Sequence, residues 1–380
     1  MRIGIAPDSF KGSLSASQAA DCIEAGFRKV FGSRLVAVKV PMADGGEGTV
    51  RAVVESTGGR FVSARVRDPL GRRIRAEYGL SGDGKTAIIE MAAASGLPLL
   101  KPSERNPLLT STFGTGELIL DAARRGVKQI ILGIGGSATV DGGTGMARAL
   151  GVRFLDKRGK EIAEGGGSLT DLTTIDVSGL LKNLRGLCID VACDVASPLS
   201  GPTGAARMFG PQKGATPAMV RQLDAGLKNL ARVIRKEMNL DLERIPGTGA
   251  AGGIGVSLIA FLSAELKSGV SLVIDCVQLE NRVKGCDLVV TGEGRMDGQT
   301  VHGKTPAGVT RVARKLGIPV IAICGSAGKD VQKVHSIGIT AFFTALQQSM
   351  DESELARRGP EMLRTCAEQV ARMMKMMWVV

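Results

Sequence analysis

Short apolar strand patterns alternate with amphipathic helix patterns along this 380-residue chain, and glycine-rich turns sit where a strand gives way to a helix. That alternation points to one class, an α/β protein with much parallel sheet, because parallel neighbours need a crossover that a helix supplies. "RIGIAP" opens the chain as a short buried strand. Ser15 and Gln18 then form a capping box, and Ala16, Ala19, Ala20, Ile23, Phe27 and Val30 mark one apolar helix face. "LVAVKV", "KQIILGIGG", "CDLVVTG", "IPVIAICG" and "ITAFFTAL" read as further strands. Thr216-Pro217 caps a helix whose Val220, Leu223, Leu227, Leu230 and Ile234 share a face. Met362, Leu363, Cys366, Val370, Met373 and Met377 hold the helical period late in the chain, a stripe that reads as core or subunit contact. The length allows two domains, each with its own core.

Several function classes fall away on composition. The net charge is +12, yet aromatics are only 3% of the chain, so stacking platforms for single strands are scarce and no nucleic-acid partner is expected. The densest basic stretch, "ARVRDPLGRRIR" (Ala64 to Arg75), alternates like a strand pair with one solvated face. A basic surface also attracts small anionic substrates. Two histidines leave too little material for a histidine-rich zinc site, and without a G-x-S-x-G elbow a hydrolase triad is not expected. No apolar run reaches a membrane span, "MRIGIAPDSF" lacks a signal-peptide core, and seven scattered cysteines without C-x-x-C spacing fit a reducing cytoplasm.

The glycine loops carry the chemistry. "DGGEGT" (Asp44 to Thr49) and "DGGTGM" (Asp141 to Met146) both follow a strand and open a helix. A single D-G-G makes a tight turn and an N-cap. The recurrence, with "GTGAAGGIG" (Gly247 to Gly255), suggests backbone opened for a phosphate, with an aspartate to hold the Mg²⁺ that the phosphate shares. Gly133, Gly135 and Ala138 also satisfy a dinucleotide fingerprint with Asp156 near the acidic position, but the helix starts near Gly142, too late to meet a pyrophosphate. "GQTVHGKT" (Gly298 to Thr305) matches the P-loop pattern, yet "TGEGRMD" separates it from the preceding strand, so the lysine is kept and the P-loop rejected. Charged residues gather beyond other strand ends: Asp8 and Lys11, Asp194, and the set Glu293, Arg295, Asp297 and Lys304. Loops at such ends flank the binding crevice of open α/β sheets, where carboxylates take a hydroxyl proton or hold Mg²⁺ and cations neutralise a transferred phosphoryl group.

The stretches "IAPDSFKGSLSA", "PMADGGEGT", "TSTFGTGELI", "GIGGSATVDGG", "CDVASPL", "FGPQKGA", "GAAGG" and "VVTGEGRMDGQT" resemble, in order along nearly the whole chain, the bacterial type-1 glycerate kinases. Val140 and Ser197 stand where that family commonly has asparagine. The resemblance implies an ATP- and Mg²⁺-dependent kinase phosphorylating D-glycerate at its 2-hydroxyl, in the cytoplasm, with no membrane or nucleic-acid partner and a homo-oligomer left open. It implies a Rossmann-like α/β domain with a parallel sheet, built from both chain ends (1–70 and 285–380), a mixed α/β domain inserted at 71–284, and a site in the cleft between them. Expected catalytic residues are Asp8, Lys11, Asp194, Glu293 and Lys304. Asp44 and Asp297 are expected at the metal, and Gly45, Gly46, Gly135, Gly136, Ser137 and Gly142 at the nucleotide phosphates. Two alternatives stay open: an NAD-linked hydroxy-acid oxidoreductase, and a non-catalytic small-acid-binding protein.

Overall fold

The computed structural model describes residues 1–181, 184, 186–346 and 352–377. Its strands in chain order are β1 (Arg2–Pro7), β2 (Val36–Lys39), β3 (Arg60–Arg67), β4 (Arg73–Leu80), β5 (Thr86–Glu90), β6 (Gln129–Gly133), β7 (Arg153–Leu155) and β8 (Thr174–Asp176). They continue with β9 (Cys188–Ala192), β10 (Glu265–Lys267), β11 (Leu288–Gly292), β12 (Arg295–Met296), β13 (Val320–Cys324), β14 (Ser326–Ala327) and β15 (Ala341–Thr344). The chain forms two units: Met1–Gly58 together with Ser268–Val380, and the continuous stretch Gly59–Lys267.

The first unit is a five-stranded sheet in the order β15-β13-β11-β1-β2, parallel throughout. β11 and β13 are buried along their whole length, and β1 is buried from Ile3 onward. Strands covered on both faces by helices must read as continuous apolar runs, which is how they read in the sequence. From β1 the chain moves one way to β2 and later the other way through β11, β13 and β15, so the order reverses between β1 and β11. In such sheets the crevice at the carboxyl ends beside that reversal binds the ligand. The expected capping box is present: Ser15 Oγ accepts the Gln18 N–H at 3.2 Å, and Gln18 Oε1 accepts the Ser15 N–H at 2.9 Å. The helix it starts, Ala16–Phe31, packs on the helix Glu352–Met377 at Gly26, where a Cβ would lie 2.6 Å from the Arg364 carbonyl oxygen. Ile23, Phe27, Leu363 and Val370 fill the core beneath, each such side chain stabilising by about 1.5–3 kcal/mol on burial. Met362, Leu363, Cys366 and Val370 of the late stripe are buried, whereas Met373 is exposed; the Met377 side chain lies outside the described residues.

The second unit carries a six-stranded sheet in the order β10-β9-β6-β5-β4-β3, parallel from β10 to β5 and antiparallel at β4 and β3. The basic stretch is the hairpin β3–β4, as its alternation suggested. Three of its five arginines are matched by acids: Arg72 with Asp68 and Glu104, Arg67 with Glu164, Arg73 with Glu117. The unit borders differ from those expected at 70 and 284 for a physical reason. β3 pairs with β4 from Arg60 to Arg67, which commits it to the second unit. On the other side, Gly269 sits so close to the Asp44 carbonyl that no side chain would fit, which ties the helix Gly269–Cys276 to the first. Among the described residues no helix is long and apolar enough to cross a membrane.

Candidate active site

At the carboxyl ends of β1, β11 and β13, the first unit encloses a cavity of about 560 Å³ that brings together Asp8, Lys11, Asp44, Glu293, Arg295, Asp297 and Lys304. Six of these are the sequence-predicted catalytic and metal residues of this unit, and Arg295 belongs to the same strand-end set. Leu346, Leu355 and Met362 line an apolar wall of the same cavity.

The two most buried carboxylates are held by hydroxyls. Asp8 follows β1 directly; its Oδ2 accepts the Thr305 hydroxyl at 2.5 Å and its Oδ1 accepts the Ser9 N–H at 2.6 Å. Burial pushes the Asp8 carboxyl up to about 6, against the Thr305 hydrogen bond and with help from the negative charge of Asp44. Glu293 follows β11, and its Oε1 accepts the Thr300 hydroxyl at 2.6 Å. Burial pushes it up to about 7, the Thr300 bond and Lys304 opposing, Asp8 and Asp297 adding to the rise. The Lys304 ammonium stands 3.6 Å from Glu293 Oε2 and 3.8 Å from Asp297 Oδ1, beyond hydrogen-bond length to either. It is ion-paired with both acids but hydrogen-bonded to neither. Thr300 and Thr305 were missed by sequence reasoning, since nothing local marks which threonine hydroxyl meets a carboxylate up to 297 residues away.

"GQTVHGKT" is not a P-loop. The short strand β12 and a turn intervene after β11, and the helix begins only at Thr305. The Gly298 N–H donates to the Lys329 carbonyl at 2.9 Å, so it offers nothing to a phosphate. Thr305, which a P-loop would place on the metal, instead orients Asp8.

The two D-G-G loops part company. In the first, Gly45 has φ +90° and the Gly46 N–H turns back to Asp44 Oδ1 at 3.1 Å, so the loop fixes its own aspartate in the cavity. In the second, Asp141 is fully buried, and its carboxylate accepts the Thr112 N–H and hydroxyl at 2.8 Å each, the Gly143 N–H at 3.1 Å and the Gly145 N–H at 3.2 Å. Burial raises its pKa against those bonds. The Gly142 N–H donates to the Gly252 carbonyl, and its Cβ position is filled by Leu230. The expectation of Gly142 at a phosphate is thereby corrected: its donor is spent inside the protein. "GTGAAGGIG" is the other half of this brace, with Ala251, Gly252 and Gly253 all at positive φ. Val140, where an amide is usual in the family, is fully buried among apolar neighbours.

Gly135, Gly136 and Ser137 form a loop of the second unit just beyond β6, with both glycines exposed. Beneath it lies Lys213, absent from the sequence-based set. It is 2% exposed, and its ammonium donates to Ser137 Oγ at 2.6 Å and to the Thr139 carbonyl at 2.8 Å. Burial lowers its pKa to about 7, with Asp141 pulling the other way. The signal was faint: a lysine between glycines in "FGPQKGA". Asp194 lies on an exposed loop of the second unit beyond β9. The dinucleotide fingerprint does not survive, because the helix after it begins at Thr144 and Asp156 merely accepts the Arg158 and Lys160 N–H groups in an exposed turn.

A parallel sheet with ionisable groups converging at its strand-order reversal is the architecture of α/β proteins that take their ligands at the strand ends. The comparisons specify which. Residues 3–375 match the model of the glycerate kinase family. The chain is 54% identical to glycerate 2-kinase of Escherichia coli (strain K12), over 93% of each chain. It is 49% identical to glycerate kinase of Bacillus subtilis (strain 168), over 99% of this chain and 98% of that one. A crystal structure assigned to glycerate kinase 2 from Salmonella typhimurium LT2 superposes with a TM-score of 0.93 at 48% identity, covering 100% of both chains. The chain belongs to the glycerate kinase family, and the oxidoreductase alternative is set aside.

Proposed function

We propose that this protein transfers the terminal phosphoryl group of ATP to the 2-hydroxyl of D-glycerate, and that the first-unit cavity is where the chemistry occurs. The observation that carries this reading is the pairing, in one cavity, of two proton-avid carboxylates with the Lys304 ammonium, which sits beside Glu293 and Asp297 without a hydrogen bond to either. Glu293 is the general base: Thr300 holds Oε1, Oε2 has no close donor, and a pKa near 7 suits a hydroxyl proton acceptor. Burial keeps Glu293 proton-avid, and Asp8, with both oxygens bonded, is a fixed neighbour whose negative charge adds to that rise. Lys304, Lys11 and Arg295 offset charge on the transferred group and on the carboxylate of the acid.

Among the described residues no cluster of three or more His, Cys, Asp or Glu could hold a metal ion unaided. Mg²⁺, however, usually takes one or two carboxylates and completes its shell with phosphate and water. Asp44 and Asp297 fit that role by donor chemistry, and the ion would neutralise phosphate charge when bound. The apolar wall of Leu346, Leu355 and Met362 suits the purine, because every carbon of glycerate bears oxygen. Seven unpaired cysteines agree with a cytoplasmic enzyme.

Purified protein given ATP, Mg²⁺ and D-glycerate is expected to release ADP well above a control lacking the acid. ³¹P NMR of the product is expected to show phosphate on the secondary carbon. A primary phosphate ester would overturn the regiochemistry alone, whereas no acid-dependent ADP would overturn the kinase reading.

A further inference from the structure

The cations of the first-unit cavity are not alike. Lys304 is ion-paired with Glu293 and Asp297, and Lys11 favours the charged form of Asp8. Arg295 is exposed and lines the same cavity, yet among the described residues its guanidinium makes no hydrogen bond and no ion pair. It is nevertheless held in place. β12 pairs with β14 in parallel, with Arg295 opposite Ser326. Backbone bonds lace the same segment to the loop after β13. The Gly325 N–H donates to the Glu293 carbonyl at 3.1 Å, the Ser326 N–H to the Gly294 carbonyl at 3.0 Å, and the Gly328 N–H to the Met296 carbonyl at 2.7 Å. Met296 is fully buried, whereas its neighbours Arg295 and Asp297 line the cavity. Gly328 lies against the arginine head: a Cβ there would stand 2.8 Å from Asp297 Cβ, 3.1 Å from Arg295 Nε and 3.3 Å from its Nη2. The φ of Gly328 is not left-handed, so the demand is for space.

A guanidinium fixed by its surroundings but left without a partner suits one group of the reactants. Its N–H donors form a planar fork that meets a carboxylate with two parallel bonds. The carboxylate of the acid keeps its charge throughout the transfer, whereas charge shifts over the phosphoryl oxygens as the bond breaks. Lys304, beside Glu293, faces the charge that changes. Arg295 is matched to the charge that does not. We propose that Arg295 recognises the carboxylate of the acid, and so makes this cavity choose a hydroxy acid over a neutral alcohol of similar size. The inference rests on the kinase reading above and names the residue behind its substrate class. An interaction equally strong in ground and transition states lowers KM without speeding the chemical step. Arg295 is thus a specificity-determining residue, and its loss should show in KM for the acid.

Two substitutions and two acceptors test this. D-glyceramide carries the same hydroxyls as D-glycerate, with a neutral amide in place of the carboxylate. Wild type should favour D-glycerate over the amide by about 10- to 100-fold in KM, the usual range for hydrogen bonds between charged groups. Arg295→Ala should raise KM for D-glycerate by a similar factor, leave KM for the amide within about twofold, and so treat the two acceptors alike. KM for ATP should also stay within about twofold, and kcat should fall by less than about threefold. Arg295→Lys keeps the charge but loses the fork, and should give an intermediate KM for D-glycerate. A variant that still prefers the acid as strongly as wild type overturns the proposal. So does a fall in kcat with KM for the acid unchanged, which would put Arg295 on the transferred group instead. Should Arg295→Ala not fold, Arg295→Lys decides: wild-type preference for the acid overturns the proposal, and a weakened one supports it. Should the wild type not phosphorylate glycerate, thermal-shift titrations with D-glycerate and with the amide replace KM. A preference for the acid that disappears in Arg295→Ala then supports the site although the kinase reading has failed. A wild type that responds to neither, or a variant that keeps the preference, overturns it.

Discussion

Replacing Glu293 with glutamine is expected to lower kcat by about 10²- to 10⁴-fold, the usual range for removal of a positioned general base. The pH profile provides a sharper signature. A base must be ionised to act, and burial lifts Glu293 from 4.5 to about 7, so the wild-type rate should climb as pH rises through the range set by Glu293 and Asp8, at about 7 and about 6. These two carboxylates interact, so the limb belongs to the pair. In Glu293→Gln the upper part of that limb should vanish. Stability runs the other way. A carboxyl whose folded pKa is raised contributes stability below its unfolded value of 4.5, and that contribution is lost as pH rises through about 7. The glutamine variant should therefore unfold at a higher temperature than wild type at pH 8, with the gap closing by pH 5. Thermal scans at the two pH values, read beside the rate profiles, check both signs. If Asp8→Asn erases the limb instead, the base is Asp8.

The second large effect is expected at Lys304. Lys304→Ala should lower kcat about 10²-fold, as loss of a single electrostatic contact to developing charge does elsewhere. Its ammonium also favours the ionised form of Glu293. Removing it should move the rising limb to higher pH, a displacement that loss of a mere surface lysine would not produce. A variant with wild-type kcat and an unmoved limb would take Lys304 out of the site.

The sequence showed the architecture where local rules decide. The capping box at Ser15 and Gln18, the helix after Thr216-Pro217 and the basic hairpin of β3 and β4 each follow from neighbours a few residues apart, and each is present. The strand-end charges of the first unit were also legible, because a parallel sheet sends its ligand-facing loops to one edge. What failed was telling the two D-G-G loops apart. Their letters are the same, but Asp141 meets Thr112, 29 residues earlier, and Gly142 meets Gly252, while Asp44 keeps its carboxylate in an open cavity. Only tertiary packing separates a brace from a loop that opens on a cavity. Lys213 escaped for the same reason, its partner Ser137 lying 76 residues away.

The placing of β1 in the middle of its sheet, between β2 and β11, has a consequence for biosynthesis. A ribosome adding roughly 5–20 residues per second reaches Leu288 about 15–60 s after β1 has been made. For that interval β1 has one edge of unsatisfied N–H and C=O groups and an apolar face with no covering helix, the conditions that invite wrong pairing. The continuous stretch Gly59–Lys267 has no such wait, since all six strands of its own sheet lie within it. The nascent chain is therefore expected to close its middle before its beginning. Protease digestion of ribosome-stalled chains ending near residue 300 should find the central stretch resistant and residues 1–58 still cleavable, whereas equal resistance of both would mean that the first strands fold without waiting for β11 to complete their sheet.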